Sequence, residues 1–447
     1  MKQYDSYKDS GINWIGKIPS HWEVCRLKNH SKIVLGKMIM SVPPKGEEAK
    51  YTLEKYLKSR NIGWLNVIDS EDEVDEMWFN QYEKELYRLH TNDIVMNEGG
   101  DIGKIGLWNN TDYPCYIQNS VNKITADNVT SPFYLQYLLF AIAKTNYFWS
   151  IVNPISIAHL TKEKLSSTPI VLPSLSEQEV IASYLDKKCG EIDKAVATQE
   201  KRVELLKELR QNIITQAVTR GINPDAPLKD SGVEWIKEIP SHWKSVPIKY
   251  SVESPYNSFI DGDWIESNVI VSDGIRYLTT GNVGALKYKE QGSGFISEST
   301  FKELNCSEVF PGDILISRLN EPIGRACIVP DLGYRIVVAV DNVIYRPDTN
   351  LYDKQFLVYQ MNCKPYADTA NFIARGSTMS RVSRTTLGNF KLVIPPLDEQ
   401  KKIVVYLNKK CDEIERSIEK AEHQIELLQE LKQSIITEVV TGKRKVC

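Results

Sequence analysis

The sequence predicts an α+β chain: two globular domains separated by two long antiparallel coiled-coil helices, related by an internal pseudo-two-fold repeat. The first observation behind this is duplication. Residues 8–22 read KDSGINWIGKIPSHW and residues 229–243 read KDSGVEWIKEIPSHW, while the block 173–219 returns at 395–441 with about half its positions identical. The second is a three-four spacing of apolar residues within that repeated block, and the third is a set of β-branched, turn-bounded segments between the blocks. The repeat distance of about 221 residues lies far above the period of a solenoid or propeller, so a whole domain has been duplicated.

At 447 residues the chain has room for about three domains. No signal peptide opens it. The longest apolar run, Phe133–Val152, is broken by Gln136, Lys144 and Asn146, which favours a buried helix over a membrane span. Eight cysteines without a CxxC pair point to a reduced, cytoplasmic setting and no bound metal; Cys189 and Cys411, at equivalent repeat positions, read as packing residues. A net charge of −3 is unusual for a binder of nucleic acid, but the average hides an acidic run at 71–76 and an acid-free basic run at 375–391.

The first domain spans 1–168. Its strands are expected at 92–97, 103–108 and 115–124, with a helix near 133–149. Residues 169–220 hold a short strand (PIVL) and the first long helix. Ser176 is its expected cap, with Glu179 completing a capping box, Leu175 stapling onto Val180 and Gly221 as the stop. The second domain, 221–390, opens with the linker GINPDAPLKD and has strands at 312–318, 324–330 and 334–346 and a helix near 353–371. Residues 391–447 repeat the strand and long helix, capped by Asp398 and stopped by Gly442.

The two helices carry matching seams. Ile192, Val196, Val203, Leu206, Ile213 and Ala217 form the first; Ile414, Ile418, Ala421, Ile425, Leu428, Ile435 and Val439 form the second. Leu205, Leu209, Leu427 and Leu431 widen the stripes, and Gln199, Arg210 and Lys432 interrupt them. This is a coiled-coil pattern about four heptads long, most simply buried helix against helix. From Ile192 to Ala217 the seam spans roughly 40 Å at about 1.5 Å per residue. One turn of B-DNA is about 34–36 Å, so a spacer holding two readers on a split site is a plausible use.

In this order and repetition the chain resembles the DNA-sequence specificity subunit of type I restriction–modification enzymes. SGINWIGKIPSHW, the helix starts PSLSEQ and PPLDEQ, the two long helices, the GST at 376–378 and the twofold repeat carry the resemblance, which covers essentially the whole chain. It implies that each divergent region is a target-recognition domain reading one half of an asymmetric double-stranded DNA site. It also implies that the helices set the spacer and dock two methyltransferase subunits, with restriction–translocase subunits further out. S-adenosylmethionine, ATP and Mg would then belong to those partners, with no cofactor in this chain. One departure is Pro154-Ile155-Ser156 in the first copy, where the second has Gly376-Ser377-Thr378.

Two constellations are candidates for touching DNA. The first is the loop NEGGDIGK (97–104), matched by SRLNEPIGR (317–325). Its glycines would let the backbone approach a phosphate, with Lys104 or Arg325 pairing it or reading guanine, and Arg318 and Asn320 of the second loop are further DNA-binding candidates. A glycine turn with a solvated charge explains the same residues. The second is the segment before each strand–helix block, with Arg375, Ser377, Thr378, Arg381 and Arg384 in one copy and Ser156, His159 and Lys162 in the other; ordinary loop composition competes here. Gln118 and Asn119 are amides able to read adenine or to finish a strand edge. The repeated tryptophans and prolines of the IPSHW motif read as packing residues.

No GxxxxGK[ST], HExxH, GxSxG or Asn/Asp-Pro-Pro-aromatic motif is present, so catalysis by this chain alone is not expected. The alternative is a coiled-coil adaptor between two proteins that binds no DNA. It explains the helices but gives no reason for two copies of one domain to diverge while their frame is kept.

Overall fold

The computed structural model describes residues 3–152, 159–292, 294–319, 322–374 and 380–446. They fall into two compact units, Met1–Gln199 with His423–Cys447, and Glu200–Glu422. Among the described residues no helix is long and apolar enough to cross a membrane.

In the first unit the strands Ser31–Leu35, Val121–Ala126, Asp93–Asn97 and Ile105–Trp108 form an antiparallel sheet in that order. A second sheet orders Asp75–Asn80, Tyr51–Leu57 and Cys115–Ile117, the last pair parallel. The alternation of these segments explains the arrangement, since Ile94, Met96 and Ile124 enter one core and Val95, Ile117 and Val121 another. Against the first core lies the helix Pro132–Lys144, capped by Ser131 and buried from Tyr134 to Ala143. It ends at Lys144, and a short helix Tyr147–Ile151 follows, so the single helix expected near 133–149 is two.

The second unit repeats this order with different side chains. Phe259–Asp261, Asn342–Tyr345, Ile314–Ser317 and Ala326–Ile328 make the four-stranded sheet. Phe295–Ile296, Ile275–Leu278 and Ile336–Val338 make the three-stranded one, again with one parallel pair. The helical region is likewise divided, into Lys354–Met361 and Lys364–Ile373.

The long helices run Leu175–Arg220 and Leu397–Val440. Both begin earlier than expected. Ser174, rather than Ser176, precedes the first turn and accepts the Glu177 amide at 3.4 Å, while Pro396 rather than Asp398 precedes the second. The proposed staple also fails, because Leu175 and Val180 are exposed. What fixes each start is the dipeptide Glu-Gln. Glu177 accepts from the indole of the fully buried Trp22 at 3.2 Å and meets His21 Nε2 at 2.9 Å. Glu399 does the same with Trp243 and His242, at 3.2 and 2.7 Å. The next residue is a buried glutamine. Gln178 accepts from the Ser131 amide and donates to the carbonyls of Val129 and Pro173. Gln400 accepts from the Asp353 amide and donates to Leu351 and Pro395.

Within the first unit Ile192 is buried with Ile435, Ile436 and Val439, and Val196 and Leu428 pack at the margin. Lys432 reaches Asp193 at 2.7 Å. Within the second, Val203, Ile414, Ile418 and Ala421 are buried and Leu206 and Ile213 flank them. Arg210 meets Glu415 at 2.5 Å, and Lys207 lies 3.7 Å from Glu422. Rising numbers in one helix oppose falling numbers in the other, so the pairing is antiparallel, and the charges that interrupt the seam have cross-helix partners. Ile425 is half-buried. Leu205, Leu209, Leu427 and Leu431 do not widen the buried stripe; each is about half exposed.

Both helices stop on a glycine with positive φ, +75° at Gly221 and +71° at Gly442. A Cβ on Gly221 would lie 3.3 Å from the Trp243 ring, whereas one on Gly442 would lie 2.2 Å from Pro19 Cδ. Gly221→Ala is therefore expected to cost about 1–2 kcal/mol from backbone strain alone, and Gly442→Ala more, because Pro19 must also move. Thermal unfolding of the two variants should show the larger drop in Tm for Gly442→Ala.

Candidate nucleic-acid interface

In each unit the sheet loop and the segment that follows the domain helices come together. In the first, Gly99 bridges His159, the Leu160 amide donates to the Glu98 carbonyl at 2.7 Å, and His159 Nδ1 lies 2.8 Å from Glu98 Oε2. Lys162, at the start of the short helix Lys162–Ser166, is exposed. In the second unit Leu319 bridges Arg381, and the Val382 amide donates to the Arg318 carbonyl at 3.0 Å. The two constellations separated in sequence are thus one surface in each domain. Ser156, Asn320, Arg375, Ser377 and Thr378 lie outside the described residues.

The charged residues differ sharply in role. Arg381 is about half exposed and 2.9 Å from Asp341; Arg384, similarly exposed, is 3.4 Å from Asp261. Arg384 opens the helix Arg384–Asn389, which Ser383 caps. Three arginines against two aspartates leave this patch positive, with the two outer guanidiniums free to exchange a carboxylate for a phosphate. Arg318 is the third, and it is buried. Its guanidinium donates to the carbonyls of Val340 and Val382 and sits 3.2 Å from Asp261, and burial lowers its pKa. Arg325 points inward too, donating to the carbonyls of Val283, Leu319, Pro322 and Thr280. These two hold the loop in shape rather than facing solvent.

In the first unit Lys104 is partly exposed and pairs with Asp101 at 2.5 Å. Gln118 is buried and spent locally, accepting from the Ser120 amide and donating to Asn119. The strand-edge reading therefore fits Gln118; Asn119 beside it is partly exposed. Lys144 stands 3.4 Å over the Trp64 ring, its pKa lowered first by burial and then by Lys104.

The glycines before these bases have a packing cause. Gly103 has φ +85° and a Cβ there would lie 2.8 Å from that of Ala143; Gly324 has φ +79° and would meet the Tyr366 ring at 2.9 Å. Both let the loop pass close to a domain helix. Gly100, φ +71°, opens onto free space.

Sequence reasoning missed the counter-ions Asp261 and Asp341 and a second glycine pair. A Cβ on Gly36 would come within 2.4 Å of the Gln118 carbonyl oxygen, and one on Gly262 within 2.3 Å of that of Val338. The signal was available as a glycine closing a β-branched strand in both copies, IVLG and FIDG.

Among the described residues, Glu23, Cys25 and His30 are a group whose ligand atoms lie within 4.8 Å of one another. Burial, then Glu23 and Asp127, push the Cys25 thiol up to about 12, and His30 is hydrogen-bonded to Asp127 at 3.0 Å. This is a protonated thiol beside an engaged imidazole, a poor ligand set at neutral pH.

Comparison with known proteins bears on the whole chain. Residues 19–206 and 258–427 match the model of the type I restriction modification DNA specificity domain. The type I restriction enzyme MjaVIII specificity subunit of Methanocaldococcus jannaschii is 24% identical over 438 residues, covering 96% of this chain and 94% of that protein. The EcoKI specificity subunit of Escherichia coli K12 is 22% identical, covering 96% and 90%. A solved structure described as "Structural basis underlying complex assembly and conformational transition of the type I R-M system" contains a chain of the same fold. Its TM-score is 0.69 at 16% identity, over 95% of this chain and 98% of that one.

The burial difference separates two arginines experimentally. Arg318→Ala leaves the Val340 and Val382 carbonyls without their donor, with Asp261 still facing Arg384, and should cost about 1–3 kcal/mol, read as a clear fall in Tm. Arg381→Ala should change stability by no more than about 0.5 kcal/mol, and any loss it causes should appear in DNA binding.

Proposed function

Since the chain belongs to the type I restriction modification DNA specificity family, we propose that each divergent domain reads one half of a split, asymmetric duplex target. The protein is a DNA sequence-specificity subunit. In the finer reading, the paired helices fix the gap between the half-sites and the chain itself performs no catalysis. Methylation and cleavage, with S-adenosylmethionine, ATP and Mg, then fall to partner methyltransferase and translocase subunits in the cytoplasm.

One observation carries this reading: the same pair of loops meets on the same sheet in both domains, while the side chains presented there differ. His159, hydrogen-bonded to Glu98, occupies the place that Arg381, paired with Asp341, fills in the other copy. A frame kept alike beneath surfaces that differ is what two readers of unlike half-sites require. Phosphate attraction would come from Arg381, Arg384, Lys104 and Lys162, and base discrimination from the residues beside them.

The half-exposed leucines give the partner surface. Leu205 and Leu209 stand in the sequence ELLKEL and Leu427 and Leu431 in ELLQEL, one pair in each unit, between glutamates. An apolar pair four residues apart on a helix suits an amphipathic helix of a partner, and its occurrence in both copies suits two identical methyltransferase subunits.

Selection from random duplexes by the chain assembled with methyltransferase should recover two short motifs at a fixed gap. Recovery of no motif would favour the adaptor. Arg381→Ala or Arg384→Ala should weaken one half of that motif only; an even loss over both halves would count against the assignment. Leu205→Glu with Leu209→Glu should reduce capture of methyltransferase without lowering Tm.

A further inference from the structure

Each domain exposes large apolar side chains at one equivalent place that nothing in the fold explains. The strand ladder continues one residue past Gly36 and Gly262. The Lys37 amide donates to the Ile117 carbonyl and its own carbonyl accepts from Asn119 at 2.8 Å; Asp263 donates to Val338 and accepts from Val340 at 2.9 Å. The next residue turns out into solvent. In the first domain it is Met38, 74% exposed, followed by Ile39 at 58% and, further along, Val42 at 75%. In the second it is Trp264, 69% exposed.

The location gives these side chains a use. Val340, bonded to Asp263, precedes Asp341, the carboxylate that holds Arg381. Asp261, three residues before Trp264, holds Arg318 and Arg384. In the first domain Asn119, bonded to Lys37, precedes Ser120, whose carbonyl accepts from the Glu98 amide beside His159. The apolar residues therefore stand at the rim of the polar patch in both copies. A tryptophan left in water forgoes the burial its surface favours, and apolar groups beside phosphate-binding cations commonly touch thymine methyls or insert at a base step.

We propose that Trp264, and Met38 with Ile39 at the matching point of the first domain, are apolar probes that press on the bases of the half-site their own domain reads. The proposal rests on the DNA-recognition reading above and adds specificity-determining residues to it. Because the glycine and its ladder partner fix where the chain turns out, the side chain there can differ between copies without disturbing the sheet.

The test uses the chain assembled with methyltransferase and the duplex that the wild-type complex selects. Trp264→Ala should weaken binding about tenfold, the scale of one lost aromatic–base contact, and relax selection only in the half-site assigned by Arg381→Ala. Trp264→Phe should recover most of both, and Tm and methyltransferase capture should stay unchanged. Unaltered affinity and motif in the alanine variant would overturn the proposal while leaving the split-site reading intact. Loss of methyltransferase capture would make Trp264 a protein contact and overturn it equally. A wild-type complex that selects no motif would remove the parent reading and this one together.

Discussion

A carboxylate in the first turn of each long helix is the constraint on which the rest depends. Glu177 and Glu399 each take an indole N–H and an imidazole from an IPSHW motif some 155 residues earlier in the chain. A buried indole without an acceptor costs about 1–3 kcal/mol, so the motif and the helix start cannot part cheaply. In each unit the end of the other long helix reaches the same tryptophan, with Gly442 against Pro19 and Trp22 and Gly221 against Trp243. One carboxylate bound to an imidazole and an indole thus fixes the beginning of one helix, the end of its neighbour and the hairpin that precedes the domain.

Much of this was legible in the residues. Repetition revealed two domains, the three-four spacing revealed the paired helices, and β-branched runs such as DIVMN and DILIS revealed the central strands. Local capping rules erred by two residues because tertiary bonds, rather than Ser176 or Asp398, set the start. The apolar stripe misled at Leu205 and Leu427, since periodicity cannot tell a buried seam from a half-exposed flank. Direction of a side chain was the least legible quantity. Arg318 and Arg381 belong to the same patch, but one is drawn inward by backbone carbonyls that lie far along the sequence.

Local ion pairing bears on the tension between a net negative charge and a polyanionic target. Asp261, Asp341 and Asp75 each pair with a neighbouring cation. Asp261 and Asp341 hold the guanidiniums of Arg384 and Arg381 in place, and in the proposed reading that pre-orientation would lower the entropy lost on meeting a phosphate. The acidic run at 71–76 includes Asp75, which pairs with Lys58 and Arg60. Local pairing, rather than total charge, decides where a duplex would be drawn.

The buried glutamines have an evolutionary consequence. Gln178 and Gln400 grip their domains through main-chain atoms alone, at Val129, Ser131 and Pro173 in one copy and Leu351, Asp353 and Pro395 in the other. A hold that ignores side-chain identity accepts any insert whose backbone ends in the same turn. Genetic crossovers within the repeated blocks could therefore trade one cassette for another of unrelated sequence, giving the chain a new vocabulary in a single event rather than by gradual mutation.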